Sequence, residues 1–384
     1  MTIKNTKIWI AAALLAASAP AALRAQAPVA PDVELPEERR IPAEQQAAAY
    51  KDPSWAAPKT SWGHPSLEGT WSTDDMRGIP RDRPPELATL ESLPEEQFLE
   101  RARTQQAGRD RAVNEETFLR NEWGTRTFGF TSLVVDPPDG RVPALTEQAK
   151  LRAAEEGKRP AFRGAGASGR GTFGPGPWNT FEDFSLYDRC IGLGINRGMG
   201  AAIYGNGIRV FQSPDAVTIT YEMIHETRVI PLDSRPHLDI EQFTGNGRGH
   251  WDGDTLVIEA QGFTDRTSVG GARHSRNLRT TERLRRVDPE MIEYRITVKD
   301  PDTYTAPFTV RTLWTTQPNY YAYEYSCHEG NSAVRMGLRG ERAYERQAAE
   351  AQAKGLAVPP RANGRNIYGA PAEDAEVFNI NRGE

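Results

Sequence analysis

From Ile208 to about Cys327, short segments rich in β-branched and aromatic residues alternate with turn residues, and no helix is evident. Two of the turns are Asp252-Gly253 and Asp288-Pro289, residue pairs that interrupt a strand ladder. Regularly spaced strands of this kind predict an antiparallel barrel or sandwich. The predicted strands are Ala216–Ile230, Thr255–Ala260, Leu278–Val287, Met291–Val298, Phe308–Thr316 and Tyr320–Cys327.

Helices are predicted outside this β-rich region. Ser92 and Glu95 fit a capping box for a helix that ends near Arg111. Two more helices are predicted over residues 146–156 and from residue 341 to about 355. A strand is predicted at Phe128–Val135, and the glycine-dense segment 164–176 is predicted to be a mobile loop. We therefore expect a mainly β fold, with an antiparallel barrel-like (lipocalin-like) core and peripheral helices.

The N-terminus has the pattern of an export signal. Two lysines precede the apolar run Ile8–Ala17, and Leu23-Arg24-Ala25 fits a cleavage site. An uncleaved anchor is the alternative, but the run is too short to span a bilayer. We expect a signal peptide over 1–25, a flexible leader over 26–60, a mainly β ligand-pocket domain with helical insertions over 61–340, and a C-terminal helix and tail over 341–384. This organisation predicts a periplasmic or secreted protein.

Charge and hydropathy narrow the range of partners. The chain carries 47 basic and 52 acidic residues, a net charge of −5 with no dominant basic patch, which argues against general nucleic-acid binding. A mean hydropathy of −0.63 argues against several membrane spans. We expect a small-molecule partner, no nucleic acid and no membrane, and the oligomeric state stays open.

Cys190 and Cys327 are the two cysteines of the chain. An even pair in an oxidising compartment predicts one disulfide bond. The alternative is that Cys327, which is adjacent to His328, acts as a nucleophile or as a metal ligand.

Alternation along two predicted strands places polar residues on apolar faces. In Ala216–Ile230 the odd positions are apolar as far as Met223, and His225 continues this face towards the interior. In Leu278–Val287 the even face carries Glu282 beside leucines. A buried carboxylate without a partner costs several kcal/mol, so Glu282 requires a partner or a raised pKa.

The last predicted strand places Tyr321, Tyr323 and Tyr325 on one face, followed by His328 and Glu329. Each of these features also has a structural interpretation. His225 fits a core histidine bonded to a carbonyl, Glu282 fits a structural pair with a buried arginine, and the tyrosines fit ordinary core packing. An interior histidine, an interior carboxylate and a tyrosine wall together favour a site.

The sequence contains none of the common catalytic motifs: no Gly-x-Ser-x-Gly elbow, no His-Glu-x-x-His and no Walker loop. His328, Glu329 and Glu324 form a candidate metal site if Glu282 or His225 joins them. We predict no cofactor.

Six stretches of the sequence are distinctive as a set. They are Pro65–Trp71, Val135-Asp136-Pro137-Pro138-Asp139-Gly140-Arg141-Val142-Pro143, Arg189-Cys190, Ile230–His237, Gly249–Val257 and Cys327-His328-Glu329-Gly330-Asn331. Together they resemble a broad group of exported bacterial proteins, most without an assigned function. The resemblance covers most of the chain after the predicted signal peptide. It implies a common fold and a shared pocket, and it supplies no catalytic residues.

The leading hypothesis is an exported enzyme that applies acid/base chemistry to a small, largely apolar substrate, aromatic compounds included. Without a nucleophile or cofactor motif, a lyase or isomerase is favoured. His225 is the predicted base, because histidine changes charge near neutral pH. Glu282 is its predicted acid partner or orienter, and His328 with Glu329 forms a second polar group. The predicted substrate-binding residues are Tyr221, Tyr323, Arg235, His237, Trp251 and Asp254, the last of which also fits a bond within its own turn.

Two other classes of function remain open at this stage. A non-catalytic carrier of small ligands predicts that binding survives His225→Ala. A metal-assisted hydrolase predicts a stoichiometric metal ion and loss of activity with a chelator.

Overall fold

The computed structural model describes residues 39–40, 55–114, 124–158, 177–202, 204–317 and 320–360. The predicted signal peptide, most of the predicted leader, the glycine-dense loop and the end of the C-terminal tail lie outside the described residues.

Strands make up most of the regular structure. They are β1 (Arg39–Arg40), β2 (Gly69–Ser72), β3 (Arg126–Thr127), β4 (Val134–Asp136), β5 (Gly207–Gln212), β6 (Ala216–Tyr221), β7 (Thr227–Pro231), β8 (Asn246–Asp252), β9 (Thr255–Gln261), β10 (Ser268–Val269), β11 (Ala272–Arg273), β12 (Arg279–Asp288), β13 (Met291–Lys299) and β14 (Phe308–Thr315). The described α-helices are α1 (Glu95–Asn114), α2 (Glu147–Lys158) and α3 (Ala333–Ala353).

One ten-stranded antiparallel sheet contains the main strands, in the order β7-β6-β5-β2-β14-β13-β12-β9-β8, with β4 paired to β14. Tight turns join many of the neighbouring strands. In the β8–β9 turn, Gly253 adopts a φ of 60°, a conformation that costs glycine little. The mainly β, antiparallel prediction is therefore confirmed.

The two end strands of this sheet approach each other through side chains. A Cβ atom on Gly247 or Gly249 of β8 would lie 2.9 Å from the Ile230 side chain of β7, so only glycine admits this approach. Across the described residues no hydrogen-bonded pair joins β7 to β8, and a closed barrel is not found.

The core consists of side chains at alternate strand positions, buried on one face of the sheet. Val217 and Ile219 of β6, Leu284 of β12, and Tyr294 and Trp314 of β13 and β14 are buried there. The rings of Tyr294 and Trp314 stack with centroids 4.8 Å apart. Burial of each such side chain contributes about 1.5–3 kcal/mol. Along β12, the arginines at odd positions lie on the more exposed face and Glu282 is buried on the other face, as the sequence predicts.

The predicted strand Ala216–Ile230 is interrupted. β6 ends at Tyr221, a short turn occupies Met223–His225, and β7 starts at Thr227. The turn shifts the alternation by one residue. Odd positions are buried before the turn, whereas Glu226, Arg228 and Ile230 are buried after it. A shift of one residue moves every later side chain to the opposite face.

Other boundaries also differ from prediction. Tyr320–Cys327 is not a strand, because no described ladder pairs with it. Of the predicted strand Phe128–Val135, only Val134 and Val135 lie in a strand, at the start of β4, and β3 ends before the predicted range at Thr127. The first two predicted helices correspond to α1 and α2, and α3 begins eight residues before the predicted Glu341. None of the described helices is long and apolar enough to cross a membrane.

Candidate functional site

The predicted disulfide is present and joins two distant parts of the chain. Cys190 and Cys327 are bonded, with Cα atoms 5.7 Å apart and a sequence separation of 137 residues. Cys190 packs with Leu193, Met223 and Ile224 in a small core next to the sheet. The bond therefore connects the loop before β5 and the segment after β14 to the turn that follows β6.

Backbone strain concentrates around this disulfide. Ile224 has a φ of 64°, His225 a φ of 45° and Cys190 a φ of 55°. These are three of the four non-glycine residues with positive φ in the described chain, the other being Ala88. Such backbone conformations cost about 1–3 kcal/mol each and cluster at functional sites. The location of the strain therefore points to the Met223–His225 turn.

His225 is exposed on this turn, so the prediction that it faces the interior is wrong. The left-handed backbone at Ile224 and His225 ends the strand alternation and turns the imidazole outwards. Its Nδ1 lies 3.3 Å from the Tyr325 carbonyl oxygen, and its ring centroid lies 6.2 Å from that of the exposed His328. Two predicted catalytic histidines, 103 residues apart in sequence, are thus brought together.

A cleft of about 400 Å³ adjoins the two histidines at Tyr325; we call it the tyrosine cleft. Its lining includes Tyr187, Asp188, Glu324, Tyr325, Cys327 and Asn331. The Tyr187 hydroxyl lies 3.3 Å from that of Tyr204 and 3.4 Å from that of Tyr325. Burial raises the pKa of the Tyr325 phenol, and the hydrogen bonds with Tyr187 and Tyr204 raise it further. The Tyr325 phenol therefore acts as a neutral hydrogen-bonding group at ordinary pH.

Glu282 is fully buried and has the partner that its position required. Arg228 donates from Nη1 and Nη2 to the two carboxylate oxygens, at 2.9 and 2.6 Å. The Tyr294 hydroxyl donates to Oε2 at 3.0 Å. Glu282 does not contact His225 in the described structure, so the predicted direct pairing of these residues is wrong.

Tyr221 lies next to this buried ion pair. Its ring meets the Trp314 ring edge-on with centroids 6.4 Å apart. Burial raises the pKa of Tyr221 to about 12. Tyr221 is therefore an interior residue of the sheet.

Glu226 is a buried carboxylate that the sequence analysis missed, because alternation from β6 places it on the exposed face. Its Oε2 accepts the Leu193 amide hydrogen at 2.7 Å. Burial raises the pKa of Glu226, while this hydrogen bond and the nearby Arg197 and Arg228 oppose the rise. The sequence offers one signal for the burial of Glu226. It directly follows His225 and lies two residues before Arg228, a candidate partner on the same strand face.

The other predicted substrate-binding residues lie in different places. Tyr323 is 58% exposed, and the predicted tyrosine wall does not form because its segment is not a strand. Arg235 pairs with Asp233 at 2.7 Å on the surface, and the His237 Nδ1 lies 2.8 Å from the Asn246 carbonyl oxygen. No described contact connects these residues to His225.

The predicted hairpin residues also remain separate from the histidine pair. The Trp251 ring lies 5.3 Å from the His64 ring, and Asp254 is exposed in the β8–β9 turn. Glu329 is exposed beside His328. Among the described residues, no group of three or more His, Cys, Asp or Glu side chains is arranged to hold a metal ion.

No family model matches the chain, and no curated protein matches it.

Proposed function

We propose that the protein is an exported enzyme that applies acid/base chemistry, of the lyase or isomerase type, to a small and largely apolar molecule. The main support is that His225 and His328 lie close together, with ring centroids 6.2 Å apart. They do so at a strained turn beside the tyrosine cleft. Imidazoles exchange protons near neutral pH, so one can remove a proton while the other delivers one.

The substrate fits between the histidines and the tyrosine cleft. A cleft of about 400 Å³ is within the size range of small-ligand sites. Aromatic rings on its walls favour an apolar or aromatic body, and the phenols of Tyr187 and Tyr325 supply hydrogen bonds to a carbonyl or hydroxyl group. Glu329, exposed next to His328, is proposed as an additional polar group of the same site.

Glu282 acts in this proposal as a positioning residue. It holds Arg228, which follows His225 by three residues on β7. Loss of the carboxylate would release β7 and thereby the turn that carries the imidazole. Tyr221 supports the same turn from inside the sheet, since it is the last residue of β6.

Several broader features belong to the same proposal. The approach of β7 to β8 supports a barrel-like, lipocalin-like sheet. The disulfide supports an oxidising, periplasmic or extracellular location. Two of the stretches shared with exported bacterial proteins, Arg189-Cys190 and Cys327–Asn331, meet at the tyrosine cleft, which we propose as the pocket that this resemblance implies.

The test begins with a screen of small aromatic and alicyclic compounds for turnover by the mature protein. His225→Gln and His328→Gln are each expected to lower kcat by about 100-fold or more. His250→Gln, at an exposed histidine of β8, is the matched control and is expected to leave kcat unchanged. Unchanged turnover in both test variants would rule out acid/base catalysis by this pair.

A carrier of small ligands is the second candidate. It is favoured by the complete pairing of Glu282, whose two oxygens are bound inside the sheet and take no part in an open site. A carrier binds its ligand with similar affinity after His225→Ala and shows no turnover. An enzyme loses turnover in the same variant.

A further inference from the structure

A second cavity, of about 390 Å³, is lined in part by the segment that precedes β5; we call it the arginine pocket. Its lining includes three arginines and several apolar side chains, and no aspartate or glutamate belongs to the described lining. The residues that matter here are Arg77, Arg81, Arg197, Leu133, Met199 and Val310.

Arg197 forms a fixed cationic wall of this pocket. It is 8% exposed, and its Nη2 donates to the Gly205 carbonyl oxygen at 2.7 Å. Its guanidinium carbon lies 5.7 Å from the centre of the Tyr221 ring. These contacts hold the cation in one position, so the arginine side chain loses little further entropy when a ligand binds.

Arg77 and Arg81 supply the remaining positive charge. The Arg77 Nη2 lies 3.2 Å from Asp74 Oδ1, and the Arg81 Nε donates to Asp82 Oδ2 at 2.9 Å. The Arg81 Nη1 packs against Gly271: a Cβ atom on this glycine would lie only 2.5 Å from Nη1. The Arg81 Nε and Nη2 both donate to Asp82, and a guanidinium has five N–H donors, so Nη1 retains N–H groups that can face a ligand.

We propose that the arginine pocket binds a small organic anion: a carboxylate attached to an apolar or aromatic body. Arginine recognises a carboxylate through two parallel hydrogen bonds, and the leucine, methionine and valine side chains provide apolar contact for the rest of the molecule. This site is separate from the tyrosine cleft and does not depend on the proposed catalysis.

Two matched probes test the requirement for the negative charge. Binding of 2-naphthoate and of 2-naphthamide to the full mature chain is measured by titration calorimetry. The two probes share the ring system and differ in the carboxylate. The naphthoate is expected to bind at least about tenfold more tightly, which corresponds to about 1.4 kcal/mol. Equal affinities, or no saturable binding of naphthoate at millimolar concentration, would overturn the proposal.

Variants then locate the binding site. Arg81→Gln is expected to weaken naphthoate binding about tenfold. Arg283→Gln is the control, since Arg283 has a similar exposure and also pairs with one aspartate. Ala201→Trp, which adds an indole to the pocket wall, is expected to abolish binding without removing a charge. Wild-type affinity in either Arg81→Gln or Ala201→Trp contradicts the assignment, as does weakening by His225→Gln alone.

Discussion

Arg228 on β7 and Glu282 on β12 form a two-point ion pair across the interior of the sheet, with N–O distances of 2.9 and 2.6 Å. β7 is at one end of the strand order and is separated from β12 by five intervening strands. The pair therefore requires a strongly curved sheet, and it fixes the position of β7 directly after the His225 turn.

Glu282→Gln is expected to lower the free energy of unfolding by about 3–5 kcal/mol, because it leaves the buried Arg228 without a compensating charge. Urea unfolding followed by circular dichroism measures this loss. Asp252→Asn is the control: it removes the partner of the exposed Arg283 and is expected to cost far less, because water screens an exposed pair. Similar losses in the two variants would mean that Arg228 is neutralised in another way.

His225→Gly is expected to keep stability unchanged or to raise it by up to about 1 kcal/mol, because glycine adopts a positive φ without steric cost. The same variant is expected to lose turnover. His250→Gly, at an exposed position inside β8, has no such strain to relieve and is expected to lower stability by about 0.5–1 kcal/mol. Thermal unfolding of both variants provides the comparison, and equal destabilisation would show that the turn stores no strain.

Glu226 is expected to make the protein less stable as the pH rises. Burial raises its pKa in the folded state above the value of 4.5 for a free side chain, so the folded protein holds this proton more tightly than the unfolded chain. The resulting stabilisation is complete below about pH 4.5 and is lost as the pH rises through the folded-state pKa, by at most about 1.4 kcal/mol per pH unit.

Glu226→Gln removes this titration and retains an oxygen for the Leu193 amide. The difference in unfolding free energy between the variant and the wild type is therefore expected to grow in favour of the variant from about pH 4.5 upwards. Urea unfolding across this range measures it, with Glu259→Gln on the exposed face of β9 as the control. A constant difference across the range would contradict the raised pKa.

Alternation predicted side-chain direction well wherever a strand is uninterrupted. The burial of Glu282 and its need for a partner follow from β12 alone. Alternation placed His225 on the wrong face because the preceding Ile224 adopts a left-handed backbone. β-branched residues rarely adopt this conformation, so the sequence does not predict it. The same turn reverses the alternation, so the burial of Glu226 and Arg228 was not predicted.

The contacts between distant segments were the part least accessible to sequence reasoning. The disulfide bond was predictable from the even number of cysteines and the expected oxidising compartment. The meeting of His225 with His328 depends on that bond and on the strained turn together. The arginine pocket was missed because Arg77, Arg81 and Arg197 lie in segments without periodicity, where the sequence does not indicate direction.

Removal of the disulfide, by Cys190→Ala with Cys327→Ala, is expected to lower the free energy of unfolding by about 4–5 kcal/mol, because the bond closes a loop of 137 residues in the unfolded chain. Turnover is expected to fall even where the sheet stays folded, since His328 is adjacent to Cys327 and is held near His225 through it. Urea unfolding and kcat, each with and without a phosphine reductant, measure the two effects. The double variant is its own control, as reductant should alter the wild type alone. Full turnover in a folded double variant would show that the disulfide does not position His328.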